Sequence, residues 1–215
     1  MNLIFAASKN LLLNCLVLFG TIKAADIAKD FSQSALVPDV IPKAPTEILA
    51  VSFKDSNDKE KDLKYGEELT PTLVKTMPSL NWYTEDSAHY LIAMIDPDAP
   101  RREDPKYREY LHWLVANVPG NGDISKGETI VEYLGSAPPK DTGLHRYAIM
   151  VYKQPDKLTI EEAHIKATEA TGRPGFTLEK FAAKYKLGDP VAGNVFFAQY
   201  DEYVDIVQKQ LGEKS

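Results

Sequence analysis

Runs of consecutive apolar residues separated by turn residues dominate this chain. From Tyr90 to Ile95 successive side chains are apolar, and from Leu111 to Val118 all but His112 and Asn117 are, which is typical of β-strands buried on both faces. Pro and Gly stand between such runs, for example at 119–122 and 138–139. The pattern predicts strands over Ile48–Phe53, Thr72–Thr76, Asn81–Tyr83, Tyr90–Ile95, Leu111–Val118, Thr129–Leu134, Arg146–Tyr152 and Val195–Tyr200.

Helical spacing of apolar residues appears near the start and in the last third of the chain. Ile27, Phe31 and Leu36 recur at helical intervals, and Thr159–Glu162 has the pattern of a capping box. The charged stretch Lys54–Lys64 is interpreted as a solvated hairpin or loop. The predicted helices span residues 26–36, Thr159–Ala170, Thr177–Tyr185 and Asp201–Leu211. Many strands with peripheral helices predict a single, mainly β domain, built as a largely antiparallel β-sandwich.

The first 24 residues differ from the rest of the chain. Lys9 precedes the apolar run Leu11–Phe19, and small residues follow up to Ala25. This order is typical of a secretory signal peptide, and the apolar run is shorter than the roughly 20 residues that a membrane span needs. We therefore expect a signal peptide over residues 1–24, cleavage after Ala24, a domain over residues 25–215 and an extracellular, secreted protein. The alternative is an uncleaved signal anchor.

The net charge limits which partners are expected, and the cysteine content limits which disulfides are possible. Removal of residues 1–24 takes away Lys9 and Lys23 and no acidic residue, so the net charge changes from −6 to −8. A negative chain is not attracted to nucleic acid or to anionic membranes, so any anion must be captured by local geometry. The single cysteine, Cys15, lies in the predicted signal peptide, so no disulfide is expected in the mature form.

Two separated segments carry the candidate chemistry. Residues 96–112 and 143–147 each place a histidine at the end of an apolar run, beside Pro or Gly. On a strand, His145 and Tyr147 share one face while Arg146 lies on the other, where it can pair with an acid. Each histidine alone is more often a structural core residue, and the sequence does not show whether the two converge. If they do, imidazole N–H groups suit a phosphate or carboxylate oxygen.

Other chemistries receive little support. The chain has no HExxH motif or clustered Cys/His spacing, which makes a metal site unattractive. Ser136 is not in a Gly-x-Ser-x-Gly nucleophile elbow, so a hydrolase is a minor alternative. His89 and His164 are interpreted as structural or surface residues. We expect a protein without enzymatic activity or cofactor.

From Val37 to Leu211 the chain resembles the phosphatidylethanolamine-binding protein family. The resemblance is strongest over Asp96–Val115 and Gly143–Tyr147, and it extends to Pro190–Asn194 and the acidic and aromatic segment Tyr200–Tyr203. It implies an antiparallel β-sandwich with a small anion pocket at one end. The resemblance implies that the pocket is lined by Asp96, Ala99, Pro100, Tyr107, His112, Gly135, Pro138, His145 and Tyr147. It also makes the Ala99–Pro100 and Arg108–Glu109 peptide bonds candidates for the cis form.

Four positions depart from the family's pattern. Tyr110 stands where Trp is usual, Gln208 where mammalian members carry a tyrosine, and Arg101 where Ser or Thr is usual. Ala137 replaces the second glycine of the loop Gly135–Pro139, which would be strained if that position needs a positive φ.

The resemblance implies a binding function. We expect a monomer that takes phosphate, a phosphoethanolamine-type anion or a phospholipid head group, and that serves as a lipid or odorant carrier. The alternative is a secreted inhibitor of serine proteases or carboxypeptidases that acts through its surface, with a protease or another extracellular protein as its partner.

Overall fold

The computed structural model of the chain describes residues 24–212. Its helices are α1 over residues 24–33, α2 Leu178–Lys184 and α3 Tyr203–Gln210. Its strands are β1 Glu47–Ile48, β2 Ala50–Lys54, β3 Glu60–Asp62, β4 Glu67–Glu68, β5 Ser79–Asn81, β6 His89–Asp96, β7 Tyr110–Pro119, β8 Glu128–Val131, β9 His145–Lys153 and β10 Ala192–Ala198. Two short 3-10 helices cover Leu73–Lys75 and Ile124–Lys126.

The strands form two sheets. The larger has the order β1-β10-β9-β6-β7-β8, with β4 also paired to β10, and the smaller has the order β3-β2-β5. Pairing is antiparallel except where β10 meets β1 and β4. The chain is therefore mainly β and a single domain, as the sequence predicts, and the charged stretch 54–64 is the β2–β3 hairpin.

Each face of the large sheet supports its own hydrophobic core. One core lies between the two sheets and includes Phe53, Trp113 and Phe196. The opposite face is covered by α1 and α2, where Phe31 and Phe181 pack on the sheet. Strands between two cores have no solvent-facing side, which explains why β6, β7 and β9 are apolar at successive positions.

The predicted strand over Thr72–Thr76 is wrong. The segment forms the 3-10 turn Leu73–Lys75, in which the N–H groups of Leu73 and Val74 both donate to the Thr70 carbonyl. Val74 is buried, so its apolar character reflects an anchored turn rather than a strand. The strand expected at Asn81–Tyr83 lies slightly earlier, at β5.

The predicted helix over Thr159–Ala170 is also wrong. Ile165 instead forms a parallel bridge with Val131 at the edge of the large sheet, with its N–H donating to Ile130 and its carbonyl accepting from Glu132. In a capping box the Glu162 side chain would accept from the backbone N–H of Thr159. It accepts instead from the Tyr185 hydroxyl. Long-range partners for this backbone outweigh a local capping signal.

Candidate functional site

The topology brings three strand ends to one edge of the large sheet. Strand β6 ends at Asp96, which pairs with Tyr110 at the start of β7, and His145 begins the neighbouring strand β9. The β6–β7 register skips His112, which is therefore the extra residue of a β-bulge. Such bulges turn a side chain away from the regular alternation of a strand.

A small cavity of about 80 Å³ opens at this edge. Its wall is formed by strand ends, by the loops after β6 and β8, and by helix α3. Its lining consists of Asp96, Ala99, Pro100, Tyr107, Tyr110, His112, Leu134, Ala137, Pro139, Gln208 and Leu211. Asp96 is the one charged side chain among these lining residues.

Asp96 is held in place from behind the cavity wall. Its Oδ1 accepts from the Asp98 N–H at 2.7 Å, and its Oδ2 lies 2.8 Å from His145 Nδ1. The other ring nitrogen of His145, Nε2, lies 2.9 Å from the Thr142 hydroxyl. Because both nitrogens of this fully buried ring have partners, His145 orients Asp96 rather than facing the cavity.

His112 faces the cavity with a defined ring edge. Its Nδ1 lies 3.0 Å from the Leu134 carbonyl oxygen and 3.1 Å from that of Gly135. A carbonyl only accepts, so Nδ1 carries the ring proton and Nε2 is left toward the cavity. Burial, followed by the smaller effect of Arg173, lowers the pKa of His112 to about 4, so the ring is neutral at neutral pH.

Arg173 is a buried cation behind this histidine. Its guanidinium donates to five backbone carbonyls, among them Leu111 at 3.0 Å and His112 at 3.1 Å. Further carbonyls of Glu132, Lys166 and Glu169 complete its shell. The bonds fix the chain around the start of β7, and the charge opposes protonation of His112.

The loop after β6 forms the outer wall. The Ala99–Pro100 and Arg108–Glu109 peptide bonds are both cis, as the resemblance implies. The Tyr107 N–H donates to the Ala99 carbonyl at 3.0 Å, which closes the loop on itself. Tyr107 lines the cavity while half of its surface is exposed, so it stands at the rim.

The loop 135–139 fits closely between its neighbours. A Cβ at Gly135 would lie 2.6 Å from the Val74 carbonyl oxygen, so no larger residue fits without movement. Ala137 is not among the residues with positive φ, so an alanine in place of the usual glycine is accommodated without backbone strain. The hydroxyl of the fully buried Ser136 has no hydrogen-bond partner within the described residues.

Tyr147 supports the cavity floor. Its ring packs edge-on against His112 at 5.2 Å and stacks on Phe196 at 5.1 Å. Burial, and after it the charge of Asp96, raises the pKa of Tyr147 well above its ordinary value, so the phenol stays protonated. The Ala137 N–H lowers the pKa of this hydroxyl and Asp96 raises it, although neither forms a hydrogen bond of regular geometry with it.

Arg146 points to the opposite face of β9, as strand alternation predicts. Its Nη2 lies 2.6 Å from Asp98 Oδ1, its Nε lies 2.9 Å from Asp98 Oδ2, and Nη2 also lies 3.0 Å from Asp39 Oδ2. Arg108 binds Asp39 through both terminal nitrogens, at 3.0 and 2.9 Å. This network joins the segment after α1 to the loop that carries the outer wall.

The predicted site residues thus separate into two layers. Five of them line the cavity: Asp96, Ala99, Pro100, Tyr107 and His112. Four lie outside that lining set, in the supporting loops and strands: Gly135, Pro138, His145 and Tyr147. Gln208, singled out as a departure from the family, does line the cavity, whereas Arg101 is exposed and outside the lining.

Sequence reasoning missed several residues that shape the site. Thr142 and Arg173 lie in turns, where the sequence carries no signal for a contact with a distant histidine. Leu211, half-buried just after α3, was expected only as the end of a helix. Tyr110, which stands where the family usually has Trp, lines the cavity, and its ring lies 5.2 Å from that of His112.

Residues 24–212 show neither a metal-binding cluster nor a membrane-spanning helix. This part of the chain contains no group of three or more His, Cys, Asp or Glu residues arranged to hold a metal ion. It also contains no helix with the length and apolar character needed to cross a membrane. The predicted signal peptide and Cys15 lie outside the described residues, apart from residue 24.

Comparisons with known proteins agree on one family. The family model described as phosphatidylethanolamine-binding protein matches residues 54–197. A Drosophila melanogaster protein named putative odorant-binding protein A5 is 42% identical over 186 residues, which cover 86% of each chain. The solution structure of a protein designated CG7054 has a TM-score of 0.66 at 46% identity, covering 82% of this chain and 97% of the other. A carboxypeptidase Y inhibitor, crystallised with its cognate proteinase, has a TM-score of 0.68 at 25% identity, covering 83% and 97%.

Proposed function

The chain belongs to the phosphatidylethanolamine-binding protein family, and we propose that it is a secreted, non-enzymatic binding protein for phosphate-type head groups. In this proposal the ligand is phosphate, a phosphoethanolamine-type anion or a phospholipid head group. Asp96, Ala99, Pro100, Tyr107 and His112 contact it, while Gly135, Pro138, His145 and Tyr147 hold those residues in position.

The observation that carries this proposal is the small cavity where Asp96, His112 and Tyr107 converge. Its volume of about 80 Å³ suits a compact polar group and is far below the roughly 300–1,000 Å³ of pockets that enclose a drug-sized molecule. A lipid or odorant would therefore insert its polar head and leave its apolar part outside, across the rim formed by Tyr107 and Leu211.

Thermal denaturation with and without phosphate or phosphoethanolamine tests this function. At about a hundredfold excess over the dissociation constant, the unfolding midpoint should rise by about 5 °C or more. His112→Ala should remove the rise, whereas His164→Ala, at an exposed histidine outside the lining, should preserve it. A midpoint that neither ligand moves across about pH 5–8 would contradict the proposal.

Secretion is supported by the N-terminal pattern and by the name of the odorant-binding relative. We expect protein recovered from the medium of expressing cells to begin at Ala25, as measured by N-terminal sequencing. Recovery only from within cells, or a secreted form that begins at Met1, would exclude the signal peptide.

Protease inhibition is the second candidate, because the likeness to the carboxypeptidase Y inhibitor extends over most of both chains. Titration against carboxypeptidases and serine proteases tests it. Inhibition that survives both His112→Ala and His145→Ala would favour an inhibitor that acts through its surface rather than through the cavity.

A further inference from the structure

We propose that the cavity prefers an oxyanion that carries a proton of its own, such as the monoanion of a phosphate monoester, over fully deprotonated forms. This inference rests on the proposed function and specifies which ionisation state of the head group the site takes. It follows from the hydrogen-bonding capacity of the two innermost polar groups, His112 and Asp96.

The first of these groups accepts rather than donates. Both partners of His112 Nδ1 are carbonyl oxygens, of Leu134 at 3.0 Å and Gly135 at 3.1 Å, so the proton of a neutral ring resides on Nδ1. Nε2 then presents a lone pair to the cavity. A ligand oxygen without a proton would meet this lone pair with no hydrogen between them.

The surroundings of His112 keep its ring neutral. Asp96, at the end of β6, favours the charged ring, but burial and the nearby Arg173 oppose it more strongly. The ring of Tyr110 on β7 lies 5.2 Å from that of His112. Tyr147 on β9 also lies 5.2 Å away, and it carries no charge at neutral pH because burial raises its pKa well above the ordinary value. From helix α3, the cavity receives the uncharged Gln208 and Leu211.

The second group also accepts. Asp96 already receives the Asp98 N–H on Oδ1 and faces His145 Nδ1 with Oδ2, and a carboxylate has further lone pairs for a ligand. No lysine or arginine is among the cavity-lining residues to offset its charge. Among those residues, the uncharged donors are the hydroxyls of Tyr107 and Tyr110 and the amide of Gln208.

These groups favour a ligand that supplies one donor and several acceptors. A P–O–H group can donate to Nε2 or to the Asp96 carboxylate, while the remaining oxygens accept from Tyr107, Gln208 and backbone N–H groups. Without that proton, the same oxygen of the anion faces both the Asp96 carboxylate and the lone pair on Nε2 of His112. Sites built to bond a ligand's O–H reject analogues that lack it, because buried polar groups are left unpaired.

Calorimetric titration with methyl phosphate and dimethyl phosphate tests the inference. Methyl phosphate changes from a protonated monoanion to a dianion near pH 6, whereas dimethyl phosphate keeps one negative charge and has no proton to donate. We expect methyl phosphate to bind at about pH 5 and to lose about tenfold in affinity per pH unit above its second pKa. Dimethyl phosphate, matched in charge to the monoanion, should bind at least about tenfold more weakly.

Asp96→Asn provides an independent variant. Its amide oxygen can still accept from His145 Nδ1–H, while the NH2 group replaces Oδ1, gives up the bond from the Asp98 N–H and offers an N–H to a deprotonated ligand oxygen. We expect the affinity of Asp96→Asn for methyl phosphate to depend less steeply on pH than that of the wild type. The unfolding midpoint without ligand measures whether the variant is folded, and the wild-type titrations decide the question if it is not.

Comparable affinity for the two esters at about pH 5, or methyl phosphate binding that does not weaken above about pH 7, would overturn the inference. Binding of neither ester nor inorganic phosphate at any pH would instead overturn the proposed function, and the inference with it. The two failures are therefore distinguishable.

Discussion

At the residue scale, two backbone carbonyls determine which ring nitrogen of His112 carries the proton, and burial determines the pKa of the ring. Since burial holds the pKa of this ring at about 4, the folded state resists protonation that the unfolded chain accepts near its ordinary value of about 6.5. Stability associated with His112 is thus present above about pH 6.5 and is lost as the pH falls toward 4. We expect ¹⁵N NMR to show a neutral Nδ1–H tautomer at about pH 6. An imidazolium signal at that pH would contradict the assignment.

Gly135 is a second residue whose size matters. In Gly135→Ala the new Cβ would meet the Val74 carbonyl oxygen at 2.6 Å and Lys75 Cα at 3.1 Å, both backbone atoms that cannot turn away. We expect a loss of about 2 kcal/mol in the free energy of unfolding, together with weaker phosphate binding, because the loop must shift. Gly188→Ala is the control, since its Cβ has open space and only its positive φ costs about 1 kcal/mol. Equal losses in urea denaturation would argue against the close fit.

At the scale of elements, the buried pair of Arg146 and Asp98 joins β9 to the loop after β6. Burial opposes the charge of Asp98, but hydrogen bonds and charge from Arg146 prevail and lower its pKa. Asp98→Asn should therefore destabilise the fold by about 3 kcal/mol, because it leaves the guanidinium buried with a weaker partner. Asp189→Asn, at the exposed pair with Lys43, should cause no measurable change in urea denaturation. Similar effects of the two variants would contradict a structural role for the buried pair.

The elements also show where prediction from sequence succeeds and fails. Strands such as Leu91–Ile95 could be predicted because burial on both faces makes every position apolar. The sequence could not show that Thr159–Ala170 is not a helix. The contacts that replace the helix join Ile165 to Ile130 and Glu132, and Glu162 to Tyr185, and these partners are distant in sequence.

The candidate site divides in the same way. The resemblance to a known family named five of the eleven residues that line the cavity and four that lie behind them, but not Thr142, Arg173 or Leu211. Alternation along β9 predicted the outward course of Arg146. Which nitrogen of His112 faces the cavity depends on carbonyls 22 and 23 residues away. No local pattern reports such a contact, nor the carbonyl shell of Arg173.

At the scale of the whole molecule, Glu109 makes stability depend on pH near neutrality. Burial raises its pKa to about 7, with Glu179 and Asp39 adding to the rise and the Leu178 N–H and Arg108 opposing it. Between the ordinary value near 4.5 and about 7, the folded state holds a proton that the unfolded chain has released. Stability therefore falls as the pH rises through this range.

Glu109→Gln should remove this dependence. The amide keeps an oxygen for the Leu178 N–H and cannot ionise, so the variant should be more stable than the wild type by roughly 3 kcal/mol at about pH 8. The difference should shrink toward about pH 5. Urea denaturation of both proteins at the two pH values measures it, and a constant difference between them would contradict the assignment to Glu109.

Strand β10 has a consequence for synthesis of the chain. It lies inside the large sheet, bonded to β9 on one side and to β1 and β4 on the other, although Glu47 of β1 precedes its partner Ala192 by most of the chain. A chain that emerges from the ribosome N-terminus first must therefore hold β9 with an unpaired edge until residues 192–198 arrive. Such an edge can pair with neighbouring nascent chains. The late insertion of one strand thus makes the interval before chain completion the period of greatest aggregation risk.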